Sequence, residues 1–179
     1  MPEASLKNKA IFFDRDGVLN HLVQRNGSLY SPQKFEDFYI VDDVIEAVDS
    51  VHKMGYLAIV ISNQPDISRG KLKQSELDKM TQLLNDKTNI DDIFYCAHDD
   101  SNRCNCRKPA PGLFIMAKAK YNLDFDKSFM IGDTWKDVDA AKNADIPMIL
   151  IDRNYNQDLK VSIRVNSLID AISLIKNGI

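Results

Sequence analysis

The chain has 179 residues, of which 44% are hydrophobic and 27% charged, with a formal net charge of -3. That length supports one domain with a real core, and residues 1–179 read as a single domain. The mild negative balance gives no reason to expect a nucleic-acid or membrane partner, and no apolar run is long enough to cross a bilayer.

Residues 1–9 are polar and lack the apolar centre of a signal peptide, so the expected location is the cytoplasm. Residues 10–13 form a short apolar run, predicted as a buried strand, that stops at Asp14. Residues 41–54 carry Val44, Ile45, Val48 and Val51 at helical spacing, and Gly55 ends them. Residues 57–61 read as a second buried strand. Residues 75–84 are helical, with a stripe of Leu77, Met80, Leu83 and Leu84. Residues 93–95 are a short strand, and residues 111–121 a helix with Pro111 in its first turn. A strand at 128–131, a helix at 135–144, a strand at 148–151 and a helix at 168–176 complete the chain.

Strand and helix thus alternate about five times. This pattern predicts an α/β fold: a three-layer, Rossmann-like parallel sheet with helices on both faces. Ligands of such sheets bind beyond the carboxyl ends of the strands, so the polar residues that follow each strand are the candidate site. They are Asp14-Arg15-Asp16-Gly17 after the first strand and Ser62-Asn63-Gln64 after the second. The third is followed by a Cys/His segment and then Arg107-Lys108-Pro109. The fourth is followed by Gly132-Asp133-Thr134, with Asp137 one helical turn later. Each signal alone has an ordinary explanation as a turn, a helix cap or a surface charge. Their recurrence after successive strands points to one rim.

That set suits phosphoryl transfer. A phosphate ester repels an anionic nucleophile unless a divalent cation bridges the two. Asp14 and Asp133 offer two carboxylates for magnesium, and the free oxygen of Asp14 could then attack phosphorus. Asp16 lies two residues on and points the same way in an extended strand end. As the protonated partner it would serve the leaving alcohol as general acid, and later act as base toward water. Gly17 permits the tight turn. Ser62 and Lys108 fit as clamps on the phosphoryl oxygens, and Asp137 either binds the metal through water or orients Lys108.

The chain has only three cysteines, all in one segment, which is a poor disulfide framework. Cys96, His98, Cys104 and Cys106 instead make a complete tetrahedral zinc set. Four protein ligands leave no open position, so a structural role is expected, holding a polar loop and aiming Arg107 and Lys108.

Together these motifs resemble the haloacid dehalogenase superfamily of phosphatases. The matches are the stretch 11–20 (IFFDRDGVLN), Ser62-Asn63-Gln64, Arg107-Lys108-Pro109, and Gly132-Asp133 with Asp137. The cysteine–histidine loop is similar to that of its zinc-containing branch, which holds heptose bisphosphate and histidinol phosphatases. The resemblance spans roughly residues 9–151. It implies a Rossmann-like fold with no large cap domain, and it implies Asp14 as nucleophile and Asp16 as acid/base. Mg²⁺ would be held by the carboxylates of Asp14 and Asp133 and the backbone carbonyl of Asp16. Zn²⁺ would sit in the loop. Ser62 and Lys108 would stabilise the transferring group, and Asn63, Arg107 and Thr134 would contact substrate. The implied substrate is a small sugar phosphate and the implied state a monomer.

Two members of the branch compete. The stretches 107–112 (RKPAPG) and 67–70 (ISRG) look like the heptose type, while the short span between His98 and Cys104 is closer to the histidinol type. A third reading is a zinc-stabilised binding protein without catalysis, although every catalytic position carries a competent residue. Pro65 and Asp66 depart from the heptose pattern and would bring negative charge near an anionic substrate. Residues 21–37, residues 65–71 and the zinc loop are expected to wall the pocket. Arg25, Tyr30 and Arg69 are candidates for sugar or second-phosphate contact, and Trp135 reads as a core anchor or as a wall of the site.

Overall fold

The structure, a computed structural model, describes residues 7–179; the first six residues of the polar N-terminal stretch lie outside it. The strands are β1 (Ala10–Phe13), β2 (Val23–Arg25), β3 (Ser28–Tyr30), β4 (Leu57–Asn63), β5 (Asp92–Cys96), β6 (Phe129–Gly132), β7 (Met148–Ile151) and β8 (Arg164–Val165). The helices are α1 (Val44–Lys53), α2 (Gln74–Thr88), α3 (Gly112–Tyr121), α4 (Trp135–Ala144) and α5 (Leu168–Asn177). Six strands form one parallel sheet in the order β5-β4-β1-β6-β7-β8.

The central strands are unbroken apolar runs because both faces of the sheet are covered. Every residue of β1 is buried. Its side chains alternate between two cores, as a strand's must. Ile11 and Phe13 join Val44, Val48 and Val51 of α1 and Leu168, Ile172 and Ile175 of α5. Ala10 and Phe12 face α3 and α4, and Phe12 meets Phe114 edge-on with ring centroids 5.0 Å apart. The expected three layers are therefore present.

The order of the strands fixes where the site lies. From β1 the chain runs outward through β4 to β5, then returns to β6 and runs the other way through β7 to β8. The direction reverses between β1 and β6, which is the switch point where such sheets bind ligands. Asp14 follows β1 and Asp133 follows β6, so the two carboxylates flank that crevice.

Between β1 and α1, in place of a cap domain, lie the small antiparallel hairpin β2–β3 and a short 3-10 turn, Phe35–Asp37. The hairpin is absent from the predicted elements. Among the described residues no helix is long and apolar enough to cross a membrane. Trp135 is half exposed at the start of α4, which removes the core-anchor reading, and it is not among the residues that line the large cavity at the strand ends. It lines a small cavity together with Asp133, Thr134 and Tyr155.

Candidate active site

The carboxyl ends of the strands open into a cavity of about 660 Å³. Asp14, Asp16, Lys108 and Asp133 line it, with Asn63, Arg107, Thr134, Arg69, Lys136 and Tyr155 on its walls and Gly27–Leu29 of the hairpin at one side. Residues as far apart in the chain as Asp14 and Tyr155 thus share one space, as the strand-end rule anticipates.

Lys108 organises the centre. It is buried, and its Nζ lies 2.8 Å from Asp14 Oδ1 and 2.6 Å from Asp137 Oδ1, and donates to Ile61 O at 2.8 Å. Burial works against its charge, but the two carboxylates outweigh burial and hold the ammonium well above its usual pKa. Asn63 sets the backbone of Lys108 from both sides. Its Nδ2 donates to Lys108 O and its Oδ1 accepts from Lys108 N, both at 3.0 Å. Asn63 lines the cavity, but its polar atoms are spent on Lys108.

The sequence left Asp137 with two readings. In the structure its Oδ1 faces Lys108, while Oδ2 accepts from the backbone N of Asp133 and Thr134 and from Thr134 Oγ1. With both oxygens so occupied, Asp137 serves to orient Lys108 and to cap α4. Thr134 is likewise the N-cap of that helix, and its hydroxyl is committed to Asp137. Gly132 permits this packing, since a Cβ there would lie 2.5 Å from Asp137 Cβ.

Asp14 accepts from its own neighbour's amide, Arg15 N, at 2.7 Å, again on Oδ1. Its two described partners thus share one oxygen, and the other is left to face the cavity. Burial, and then repulsion from Asp137, raise its pKa well above the ordinary 3.8. Asp133 is pushed up to about 7 by burial and by Asp137. Its Oδ1 is buried with no hydrogen-bond partner among the described residues. Ligand oxygens of Asp14, Asp133 and Asp137 all lie within 4.8 Å of one another. Asp14, with one oxygen unengaged, and Asp133, with one orphaned oxygen, fit a hard divalent cation that prefers carboxylates, and Asp137 adds negative charge beside them. Gly17 has φ +90°, and a Cβ there would collide with Asp133 Oδ2, so glycine is required for space as well as for the turn.

Asp16 is drawn into a different set. Arg15 donates to it from Nη2 at 2.9 Å and from Nε at 3.1 Å, Asn20 Nδ2 at 3.0 Å and Gln64 Nε2 at 2.8 Å. The same Gln64 amide donates to Ser62 Oγ at 2.8 Å. Ser62 is buried and is not among the residues that line the cavity.

The cysteine–histidine loop converges as its spacing anticipated. Sulfur and imidazole atoms of Cys96, His98, Cys104 and Cys106 approach to between 3.1 and 3.6 Å in the recorded pairs. A tetrahedral zinc with sulfur at about 2.3 Å sets its sulfurs roughly 3.8 Å apart, so the cluster has about the right size. All three cysteines are free. Burial and the thiol of Cys106 push Cys96 up to about 12. Burial opposes ionisation of Cys104 too, but the amide of Arg107 and the other two thiols donate to it and bring it to about 6. The loop also sets Arg107, whose Nε donates to Asp100 Oδ1 at 2.8 Å and whose Nη1 donates to His98 O at 3.4 Å.

Of the other wall candidates, Arg69 lines the cavity and pairs with Asp66, Asp99 and Asp100. Arg25 is held by Gln33 and Asp37, and neither it nor Tyr30 lines the cavity. Asp66 accepts from Gln33 at 2.7 Å and pairs with Arg69, which removes the expected charge conflict: Pro65 faces the cavity and Asp66 does not.

The stretch after β7 carried no signal in the sequence yet forms one side of the site. Tyr155 Oη donates to Asp133 Oδ2, and Asn156 Nδ2 donates to Asp133 O at 2.8 Å. Arg153 Nη2 donates to Gly17 O at 2.9 Å.

A parallel sheet with two carboxylates at its switch point, and a buried lysine between acids, defines a hydrolase of the phosphoryl-transfer class. The HAD-hydrolase-like family model matches residues 105–170. A protein from Photorhabdus laumondii named D-glycero-beta-D-manno-heptose-1,7-bisphosphate 7-phosphatase is 32% identical, over 93% of this chain and 95% of its own length. One of the same name from Helicobacter pylori is 34% identical over 78% of this chain and 80% of its own. A crystal structure of D,D-heptose 1,7-bisphosphate phosphatase from B. bronchiseptica, complexed with magnesium and phosphate, superposes with a TM-score of 0.80. It is 22% identical and covers 96% of this chain and 99% of its own. The chain belongs to the HAD-like family of phosphatases that these relatives represent.

Proposed function

We propose that the chain is a magnesium-dependent phosphatase that removes one phosphate from a heptose 1,7-bisphosphate through an aspartyl phosphate on Asp14. The observation that carries the chemistry is the pairing of Asp14 with Lys108 on one oxygen, beside a buried Asp133 oxygen that has no partner among the described residues. Asp14, Asp133 and the Asp16 carbonyl would hold magnesium, which would supply charge neutralisation between nucleophile and phosphate.

In the first step the exposed oxygen of Asp14 attacks phosphorus, and the sugar oxygen leaves with a proton from Asp16. To reach the leaving group Asp16 must swing out of its bonds to Arg15, Asn20 and Gln64 into the cavity it already lines. In the second step Asp16 takes a proton from water, the water oxygen attacks phosphorus, and the Asp14 carboxylate is released with inorganic phosphate. Lys108 follows the charge on the phosphoryl oxygens throughout; the Ser62 hydroxyl, which lies behind Gln64 and off the cavity wall, would become their second donor only by turning into the cavity. Asn63, Thr134 and Arg107 contribute to the substrate wall, the first two by fixing Lys108 and the start of α4.

The substrate class rests on the relatives named above. The wall is consistent with it: Arg69, Arg107 and Lys136 line one side with a single acid, Asp100, among them, which leaves an excess of positive charge for a second phosphate. Phosphate release should be faster from heptose 1,7-bisphosphate than from histidinol phosphate, by at least tenfold in kcat/KM, about 1.4 kcal/mol. The reverse preference in side-by-side kinetics would move the chain to the histidinol type. Failure to turn over either ester, or a broad panel of others, would favour a binding protein.

Cys96, His98, Cys104 and Cys106 are proposed to hold one structural zinc. Plasma mass spectrometry of the purified protein should find about one zinc per chain. Cys106→Ser should lose it and melt at least ~5 °C lower, given roughly 2–4 °C per kcal/mol for a chain of this size. Equal melting of the wild type with and without a strong chelator would remove the zinc from the account.

A further inference from the structure

The turn after β7 makes three separate bonds to the corner where β1 and β6 end. Arg153 reaches the carbonyl of Gly17, Asn156 reaches the carbonyl of Asp133, and Tyr155 reaches the carboxylate of Asp133. The turn is itself anchored from behind, since Arg164 donates to Asn156 Oδ1 at 2.9 Å and to Asn156 O at 3.1 Å. Asn156 is buried, whereas the Tyr155 ring is partly open to solvent and lines the cavity. Its hydroxyl is the part of it with a defined polar partner.

The consequence lies on Asp133. A carboxylate at the end of a strand can rotate about its last bond, and each orientation presents different oxygens to a cation. Tyr155 engages Oδ2 from one side, while Gly17 crowds the same oxygen so closely that no Cβ would fit. Oδ1 is left without a partner among the described residues, and Asp133 belongs to one acidic cluster with Asp14. We infer that Tyr155 is a positioning residue for the divalent cation, fixing the rotation of Asp133 so that one oxygen is always presented to the metal. It does not touch the reacting phosphoryl group. The inference rests on the magnesium reading above.

The test is Tyr155→Phe, which keeps the ring and removes only the hydroxyl. Magnesium chloride alone is titrated into wild type and variant by calorimetry, and manganese by electron paramagnetic resonance. Loss of one hydrogen bond to a charged group should weaken binding of both ions about tenfold. Any turnover defect should shrink as magnesium is raised, and the melting temperature in EDTA should fall only by about what one lost hydrogen bond to a charged group costs, roughly 3–12 °C. If Phe lowers stability in EDTA by more than that, Tyr155→Leu is measured beside it. A purely packing role predicts that Leu is far worse than Phe in EDTA and that neither changes cation affinity beyond the loss of fold.

Unchanged ion affinity in Tyr155→Phe overturns the inference and leaves the magnesium site standing. A turnover defect that excess magnesium does not restore also overturns it, since it would place Tyr155 on the substrate. A wild type that binds neither ion overturns the magnesium reading, and the inference with it.

Discussion

Asp14→Asn is expected to abolish phosphate release, with kcat falling at least about ten-thousandfold, because the nucleophile itself is gone. The fold should survive. The introduced carboxamide is nearly isosteric with the acid it replaces. Its remaining oxygen can still accept from Arg15 N and Lys108, and Lys108 keeps its second partner in Asp137. The stability change has a definite sign. Burial raises the pKa of Asp14 in the folded chain above its ordinary 3.8. A raised carboxyl pKa means that ionisation opposes folding, from nothing at low pH to its full extent once pH exceeds the folded value. Without divalent ions, the melting temperature of Asp14→Asn relative to wild type should therefore increase as pH rises above about 4. Phosphate-release assays with excess Mg²⁺, and melts in EDTA from pH 4 upward, check both halves. Near-normal turnover in the variant would exclude Asp14 as nucleophile.

Lys108→Met should be the second severe variant, for two reasons that can be separated. Removing a charge aimed at the developing phosphoryl oxygens costs about 100- to 1,000-fold in kcat. Removing one partner of a buried ion pair leaves the other uncompensated, at about 3–5 kcal/mol of stability. Two acids lose their partner, Asp14 at 2.8 Å and Asp137 at 2.6 Å, and the larger cost falls on Asp137, which is fully buried while Asp14 lines the cavity. The double variant Lys108→Met/Asp137→Asn should therefore regain most of the lost stability. It removes the stranded charge at Asp137, and the oxygen of the new carboxamide can still accept from the backbone N of Thr134. Turnover should stay low in both. Recovery of turnover along with stability would reduce Lys108 to a structural counter-ion.

The strand ends were legible in the sequence because chemistry and burial change at the same residue. In Phe13-Asp14 a wholly buried run stops at an acid, and β1 has the predicted bounds. Helix α2 runs to Thr88, past the predicted end at Leu84, because its last buried residue is polar and returns its hydroxyl to Leu84 O at 2.6 Å. An apolar stripe cannot register that. The hairpin β2–β3 had a signal that went unused. Asn26-Gly27 sits at its turn, with φ values of +50° and +78°, and Asn-Gly between short strands is the strongest local hairpin mark.

Roles that depend on contacts across the sheet were not legible. Asn63 reads as a substrate contact until its clamp on the Lys108 backbone is seen, 45 residues away. Gln64, which ties Asp16 to Ser62, looks like any polar residue after a strand. Tyr155 and Asn156 lie in a stretch with no periodicity and no motif. Their importance comes from the return of the chain beside β6, which only the topology supplies.

The most direct examination of the central claim is chemical trapping during turnover. Wild type, Mg²⁺ and whichever phosphate ester it hydrolyses are quenched in acid within milliseconds and treated with borohydride, which converts an aspartyl phosphate to homoserine. Peptide mass spectrometry should then find homoserine at position 14 and nowhere else. Phosphate release with an unmodified Asp14 in every quench, or with the mark on a different carboxylate, would contradict the account.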